Sequence, residues 1–349
     1  MKKFLVKISY TLLPLWLAII GLVCFYYLII EPNMQGDLGR LGKIPAKLFY
    51  ERDSDKTIKD IYYPTIHKID SLKADSFDVI TCGDSFSQQG LKGFQNYMAL
   101  NGVTVINYRP NGPLAWNAFQ AAFDLMNLGY VNSTNAKMII VETVERSLCN
   151  RLLGLDCSHV ELCEEDEKPS KSTSNWSLSE AKTYLDLQLG IKESPMKQLE
   201  LNKQLFSGTH GRFLYFYYED IEEGGFTIPQ ESYSKMQSNI DTLFSIASEK
   251  GVELIVLVCP DKYDLYQNYV NNNPYPRKTI NEDFRTVVGN REDIVIGKEI
   301  LLPYIDRGEK DIYYLDDTHW SYKSAKIVAD TLTSLYTKRG SEKNDSNPL

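Results

Sequence analysis

Ser85, Asp317 and His319 are the residues whose types and placing suggest chemistry. Ser85 ends Gly83-Asp84-Ser85, where the apolar run Val79-Ile80-Thr81 stops abruptly, and His319 lies in Asp317-Thr318-His319-Trp320 near the far end of the chain. A β-rich run that ends in Gly-Asp-Ser and then turns amphipathic predicts a strand, a tight turn and a helix start. Such a turn exposes one hydroxyl at the carboxyl edge of a sheet, with backbone N–H groups of the following helix aimed at the oxygen it attacks. Acyl transfer needs a nucleophile, a base, a group that orients the base, and an oxyanion hole. Ser85 would attack the acyl carbonyl, His319 would take its proton, and Asp317 would fix the imidazole tautomer. Asp316 is an alternative orienting acid. His159 and His210 are alternative bases, though neither has an acidic partner at close spacing. Read alone, Ser85 is simply a turn serine capping a helix; the late motif, which supplies base and acid together, argues for the catalytic reading.

The elements that must bring these ends together alternate. A helix with Phe86, Leu91, Phe94 and Met98 on one face is expected from Phe86 to Leu100, then a strand over Val103–Asn107 and a loop at Tyr108-Arg109-Pro110-Asn111-Gly112-Pro113. A helix from about Leu114 to Leu128 and a buried strand at Lys137–Glu142 follow. Residues 147–225 break the rhythm: an acidic loop at Glu161–Glu167 and helical pieces within Leu178–Leu205 read as an insertion over the active edge. The rhythm returns with a helix at Tyr233–Lys250, a strand at Val252–Val258, a short edge strand at Ile294–Ile300 and a last helix at Ser321–Thr337. Cys259-Pro260-Asp261-Lys262-Tyr263 sits at a strand's carboxyl end, where open α/β sheets place ligand contacts. Lys262 is therefore a candidate substrate-binding residue, a solvated surface lysine being the plainer alternative. The fold class is α/β, a doubly wound and mostly parallel sheet flanked by helices.

Gly83-Asp84-Ser85-Phe86 early and Asp317-Thr318-His319-Trp320 late resemble the SGNH (GDSL-like) hydrolase superfamily, and more narrowly its alginate O-acetyltransferase-like branch, which carries GDSF and DTHW. The resemblance covers roughly residues 76–337, the middle third in layout only. A segment like Pro260-Asp261-Lys262-Tyr263 also recurs in that branch. The resemblance implies an SGNH-like catalytic domain, the Ser85–His319–Asp317 triad, no cofactor, and a membrane acyltransferase partner that exports acetyl groups. The wider superfamily places an Asn oxyanion donor in a GxND block after the next strand. Here Glu142-Thr143-Val144-Glu145-Arg146 stands instead, leaving Arg146 as a candidate replacement or as an ion pair with Glu142 or Glu145. Ser85 N–H and Gly112, beside Asn111, are the other candidate donors. Trp320 is either core or a platform for sugar rings.

Net charge is −8 at 43% hydrophobic residues, so the chain can bury a core and lacks the basic surface nucleic acid requires. Ile8–Ile30 contains no charge, long enough to cross a membrane; Lys2, Lys3 and Lys7 precede it, which places the N-terminus in the cytoplasm and the rest outside. A cleavable signal peptide is the rival reading. The expected organisation is a stub and anchor over 1–30, a tether packed partly on the domain over 31–75, the catalytic domain over 76–337, and a disordered polar tail over 338–349. His67, in the tether, reads as an exposed or tyrosine-packed imidazole. One disulfide is expected among Cys149, Cys157 and Cys163, with Cys82 and Cys259 as buried thiols. No metal-ligand spacing occurs. Three functions follow: a membrane-anchored, extracytoplasmic (periplasmic) O-acetyltransferase acting on a polysaccharide, a carbohydrate esterase with the same triad, or a polysaccharide-binding or assembly module without catalysis.

Overall fold

The computed structural model describes residues 2–25, 36–41, 55–67, 77–110, 117–131, 136–158, 160, 182–183, 186–187, 189–222 and 224–345. Six parallel strands form one sheet in the order β1-β3-β2-β4-β7-β8: β1 (Thr65–Ile66), β2 (Val79–Cys82), β3 (Val105–Tyr108), β4 (Met138–Val144), β7 (Glu253–Cys259) and β8 (Ile294–Ile296). The chain leaves β2 for β3 on one side, then crosses back to β4 on the other. That reversal opens a crevice beyond the carboxyl ends of β2 and β4, the position where doubly wound sheets take their ligands.

Both faces of the sheet are buried, which explains the continuous apolar runs of its strands. Alternate residues feed two cores: Val79, Ile140 and Ile255 point into one, Ile80, Val141 and Val256 into the other. The first core also takes residues from α3 (Phe94–Leu100), α9 (Gly297–Asp306) and α10 (Tyr322–Asp345). The second is covered by α4 (Ala118–Asn127), α5 (Glu145–Leu153), α6 (Tyr233–Glu249) and α8 (Ile280–Val288). At the N-terminus α1 (Lys2–Phe25) includes Ile8–Phe25, a stretch of mean hydropathy 2.1 with the length and composition to cross a membrane. Residues 26–30 of the expected span lie outside the described residues.

Several elements differ from the sequence reading. The helix expected from Phe86 to Leu100 is broken into a 3-10 turn at Ser85–Gln88, another at Gly90–Lys92, and α3 from Phe94. Gly90 adopts φ +56°, a left-handed conformation incompatible with continuing the helix. Within the insertion, the expected helical stretch ends instead in an antiparallel hairpin, β5 (Met196–Glu200) and β6 (Phe213–Tyr217), whose Leu214, Tyr215 and Phe216 are buried in the first core. Aromatic β-formers in Phe213-Leu214-Tyr215-Phe216-Tyr217 decide this, and helical periodicity masked it. The edge strand stops at Ile296 and Gly297 opens α9, while α10 runs on to Asp345 instead of ending near Thr337. Residues 31–75, expected as a tether packed partly on the domain, also supply a strand: Thr65–Ile66 is β1, while α2 (Asp37–Leu41) docks on the domain with Leu38 fully buried. Cys149 and Cys157 are free thiols, so they do not form the expected disulfide with each other; Cys163 lies outside the described residues.

Candidate active site

β2 delivers the chain to the crevice and Gly83 turns it. A Cβ on Gly83 would lie 2.1 Å from Ser87 Oγ and 2.4 Å from Glu142 Oε2, so only glycine lets this turn close against β4. Glu142, fully buried on β4, accepts hydrogen bonds from Asp84 N–H and the Ser87 hydroxyl, each at 2.9 Å. Asp84 accepts from Val144 N–H at 2.9 Å, Phe86 N–H at 3.1 Å and Arg151 Nη1 at 2.6 Å. From the other side, Gln95 Nε2 and Asn107 Nδ2 donate to the Ser87 carbonyl at 2.9 and 3.0 Å. Burial and the Asp84 charge push Glu142 well above the usual carboxylate range, whereas Arg151 and backbone donors overcome burial and hold Asp84 below it. Glu142 is thus the neutral acid of the pair. On this support Ser85 stands exposed, and neither its hydroxyl nor its N–H makes a hydrogen bond among the described residues.

The candidate base comes from a turn closed by an antiparallel bridge between Tyr313 and Trp320. Asp317 Oδ1 lies 2.7 Å from His319 Nδ1 and also accepts His319 N–H at 3.2 Å. A carboxylate only accepts, so Nδ1 carries the proton and neutral His319 presents the lone pair of Nε2, which has no partner among the described residues. Burial alone would lower the imidazole pKa, but the Asp317 hydrogen bond and the charges of Asp317, Asp37 and Asp84 raise it above its ordinary value. The residues on either side of Ser85 both reach this ring: Phe86 stands edge-on at 4.9 Å between centroids, and Asp84 acts on it through its charge. The two turns therefore converge at one sheet edge.

Lys262 opens α7 (Lys262–Tyr266) and is almost wholly buried, so it is neither a surface lysine nor placed to meet a substrate. Its ammonium donates to the carbonyls of Tyr314 at 2.6 Å, Leu315 at 2.9 Å and Asp317 at 3.0 Å. It clamps the base turn from within. Trp320 is fully buried and packs edge-on against Phe86 at 4.9 Å, which makes it core and not a sugar platform. Arg146 binds Asp261 at 2.5 Å, Glu219 at 3.4 Å and Asp220 at 3.6 Å, not Glu142 or Glu145, and is committed to that cluster. Asp261 is shared with buried Lys278 at 2.7 Å, and burial with the Asp261 charge pushes Asp220 up to about 7. Asn111 and Gly112 lie outside the described residues, as does His159. His67 is exposed with Nδ1 3.0 Å from the Arg109 carbonyl, and His210 sits beside Phe213 in the β5–β6 connection.

Sequence reasoning missed Asp37, whose Oδ2 is 3.3 Å from His319 Nδ1 and accepts from Thr318 Oγ1 at 3.1 Å. It also missed Glu142 as the support of the serine turn. No spacing signal could have found Asp37; a buried acid in the apolar run Met138-Ile139-Ile140-Val141-Glu142 was a signal for the other. Donor atoms of Asp37, Asp317 and His319 all lie within 4.8 Å of one another, and the 2.7 Å contact has a hydrogen bond's length, which accounts for the group without an ion.

No curated protein and no solved structure matches this chain. A protein-family model described as "SGNH hydrolase-like domain, acetyltransferase AlgX" matches residues 224–348. That stretch begins nine residues before α6, runs past the end of α10 and contains Lys262, Asp317 and His319; Ser85 precedes it. Residues 224–348 are thus similar to an SGNH hydrolase-like domain of acetyltransferase AlgX, in agreement with the parallel sheet and the histidine turn already described.

Proposed function

We propose that this chain is a membrane-anchored, extracytoplasmic O-acetyltransferase that acetylates a polysaccharide through a Ser85 acyl-enzyme. The observation that carries the reading is the convergence of an exposed serine turn and an Asp317-oriented His319 at one carboxyl edge of the sheet. The family match supports the coarser part, an acetyltransferase- or esterase-like role; the acceptor, the anchor and its side of the membrane rest on the sequence.

In the first half-reaction Ser85 Oγ attacks the acyl carbonyl while its proton passes to His319 Nε2. Negative charge forms on the carbonyl oxygen, where the unengaged Ser85 N–H is one available donor. Collapse of the tetrahedral intermediate breaks the bond to the donor's oxygen, which leaves with the proton from His319. In the second half-reaction a sugar hydroxyl gives its proton to Nε2 and attacks the acyl carbon, and Ser85 recovers that proton as it leaves. Asp317 stays ionised throughout and stabilises the imidazolium. The acetyl donor would be supplied by a membrane acyltransferase, for which an apolar helix such as α1 keeps the domain near.

Incubation of the chain with an activated acetyl ester, with and without oligosaccharides, tests this. Acetylated sugar formed by the native protein and lost in Ser85→Ala is the expected result. Free acetate whose yield no glycan alters would make the protein an esterase, a reading compatible with the solvent exposure of Ser85. Absence of turnover and of a Ser85 adduct by mass spectrometry would leave a polysaccharide-binding module.

A further inference from the structure

The segment that follows the apolar helix reaches the base turn. Leu38 N–H and Gly39 N–H both donate to the Asp316 carbonyl, at 3.0 and 3.1 Å, and Leu38 is fully buried beside it. A Cβ on Gly36 would lie 1.9 Å from that same carbonyl oxygen, so the backbone approaches as closely as only glycine permits. α2 also packs against β6, which places it between the insertion hairpin and the turn. This seating aims Asp37 at His319 Nδ1, with Thr318 Oγ1 bridging beneath. The Asp37 side chain keeps 30% of its accessible surface and Asp317 only 12%, so Asp37 lies on the solvent side of the imidazole.

We propose that Asp37 is a second positioning carboxylate for His319, brought by the segment next to the membrane helix, so that the base is complete only when that segment is docked. This rests on the acyl-transfer reading for its consequence, though not for its geometry. Nδ1 has one proton, and the shorter contact gives it to Asp317; Asp37 then acts by charge and through Thr318. The docking also sets a reach. From Phe25 to Asp37 an extended chain spans at most ~43 Å, which keeps the catalytic edge within that distance of the end of α1.

Other groups face His319 or its turn. Asp84 lies on the nucleophile side and is paired to Arg151, Lys262 Nζ holds the Asp317 carbonyl, and Lys92 Nζ stands 4.8 Å over the Tyr314 ring. Removing the negative charge of Asp37 favours the neutral imidazole, so the base should become available at lower pH.

The test is a titration of the histidine carbons in the full-length chain by NMR, with His319 assigned among the four histidines by its loss in His319→Asn. Alongside it runs the pH dependence of Ser85 labelling by a fluorophosphonate. Asp37→Asn should move the His319 midpoint and the acid limb of labelling together to lower pH. Gly36→Ala, which keeps the charge but obstructs docking, should do the same. A His319 midpoint unchanged in both variants overturns the proposal. A midpoint that shifts in a protein whose Ser85 never labels supports the docking and overturns the nucleophile reading instead.

Discussion

The two turns that meet at the sheet edge are held in opposite ways. The serine turn is fixed by side chains that reach its backbone and one another: Glu142, Asp84, Arg151, Gln95 and Asn107 converge on Asp84–Ser87. The histidine turn is fixed by its own carbonyls, which are captured from elsewhere. Lys262 takes those of Tyr314, Leu315 and Asp317, and α2 takes that of Asp316. A serine turn in this role needs to be rigid and little else, so a network built on the strand next door suffices. The base must be oriented in its ring plane and also cycle its charge. Its turn is therefore clamped from two distant parts of the chain, with the imidazole left partly open.

The largest expected effect breaks both turns' common purpose. Ser85→Ala, His319→Ala and Asp317→Ala should each lower acyl-transfer turnover by roughly 10³-fold or more, and the double variants should be little worse than the singles, because the groups act as one unit. Full additivity, or loss in only one of the three, would refute the shared role.

Next in size is the clamp. Lys262→Met leaves three buried carbonyls without their donor and should cost about 3 kcal/mol of stability, read as a shift in the denaturation midpoint. In the fraction that remains folded, kcat should fall while KM holds, since Lys262 orients the base and does not touch substrate. An unchanged melting temperature and unchanged turnover would show that the base turn does not need it.

The smallest effect should come from Glu142→Gln. Burial and the neighbouring Asp84 keep Glu142 protonated, so an amide of the same shape that still accepts from Asp84 N–H and Ser87 should be nearly neutral, within about 1 kcal/mol. Glu142→Leu, which removes the acceptor, should destabilise more than the amide does. Similar large losses in both would mean that Glu142 is needed as an anion, and the contrast drawn between the turns would then sharpen into two charged supports rather than one.

The sequence by itself determined the sheet and pointed to the residues proposed to carry the chemistry. Largely apolar runs rich in Val and Ile at Val79–Cys82, Met138–Val144 and Glu253–Cys259 suit strands buried on both faces, and Gly-Asp-Ser after the first of them signals a turn. Asp317 and His319, two residues apart, are close enough in sequence for one turn to bring them into contact. What the tertiary structure decided depended on atoms brought from far along the chain. Whether Lys262 meets solvent, substrate or three carbonyls was invisible locally, because a lysine at a strand's end suits all three. Trp320 offered the same ambiguity, and only its packing on Phe86 placed it in the core. Arg146 chose Asp261 over nearer acids because Glu142 and Glu145 turn inward to accept backbone N–H groups of Asp84 and Asp261. Asp37 lies 282 positions before His319, and nothing periodic links them. The contact exists because a glycine allowed a short helix to press against the Asp316 carbonyl, a complementarity of surfaces that no linear pattern encodes.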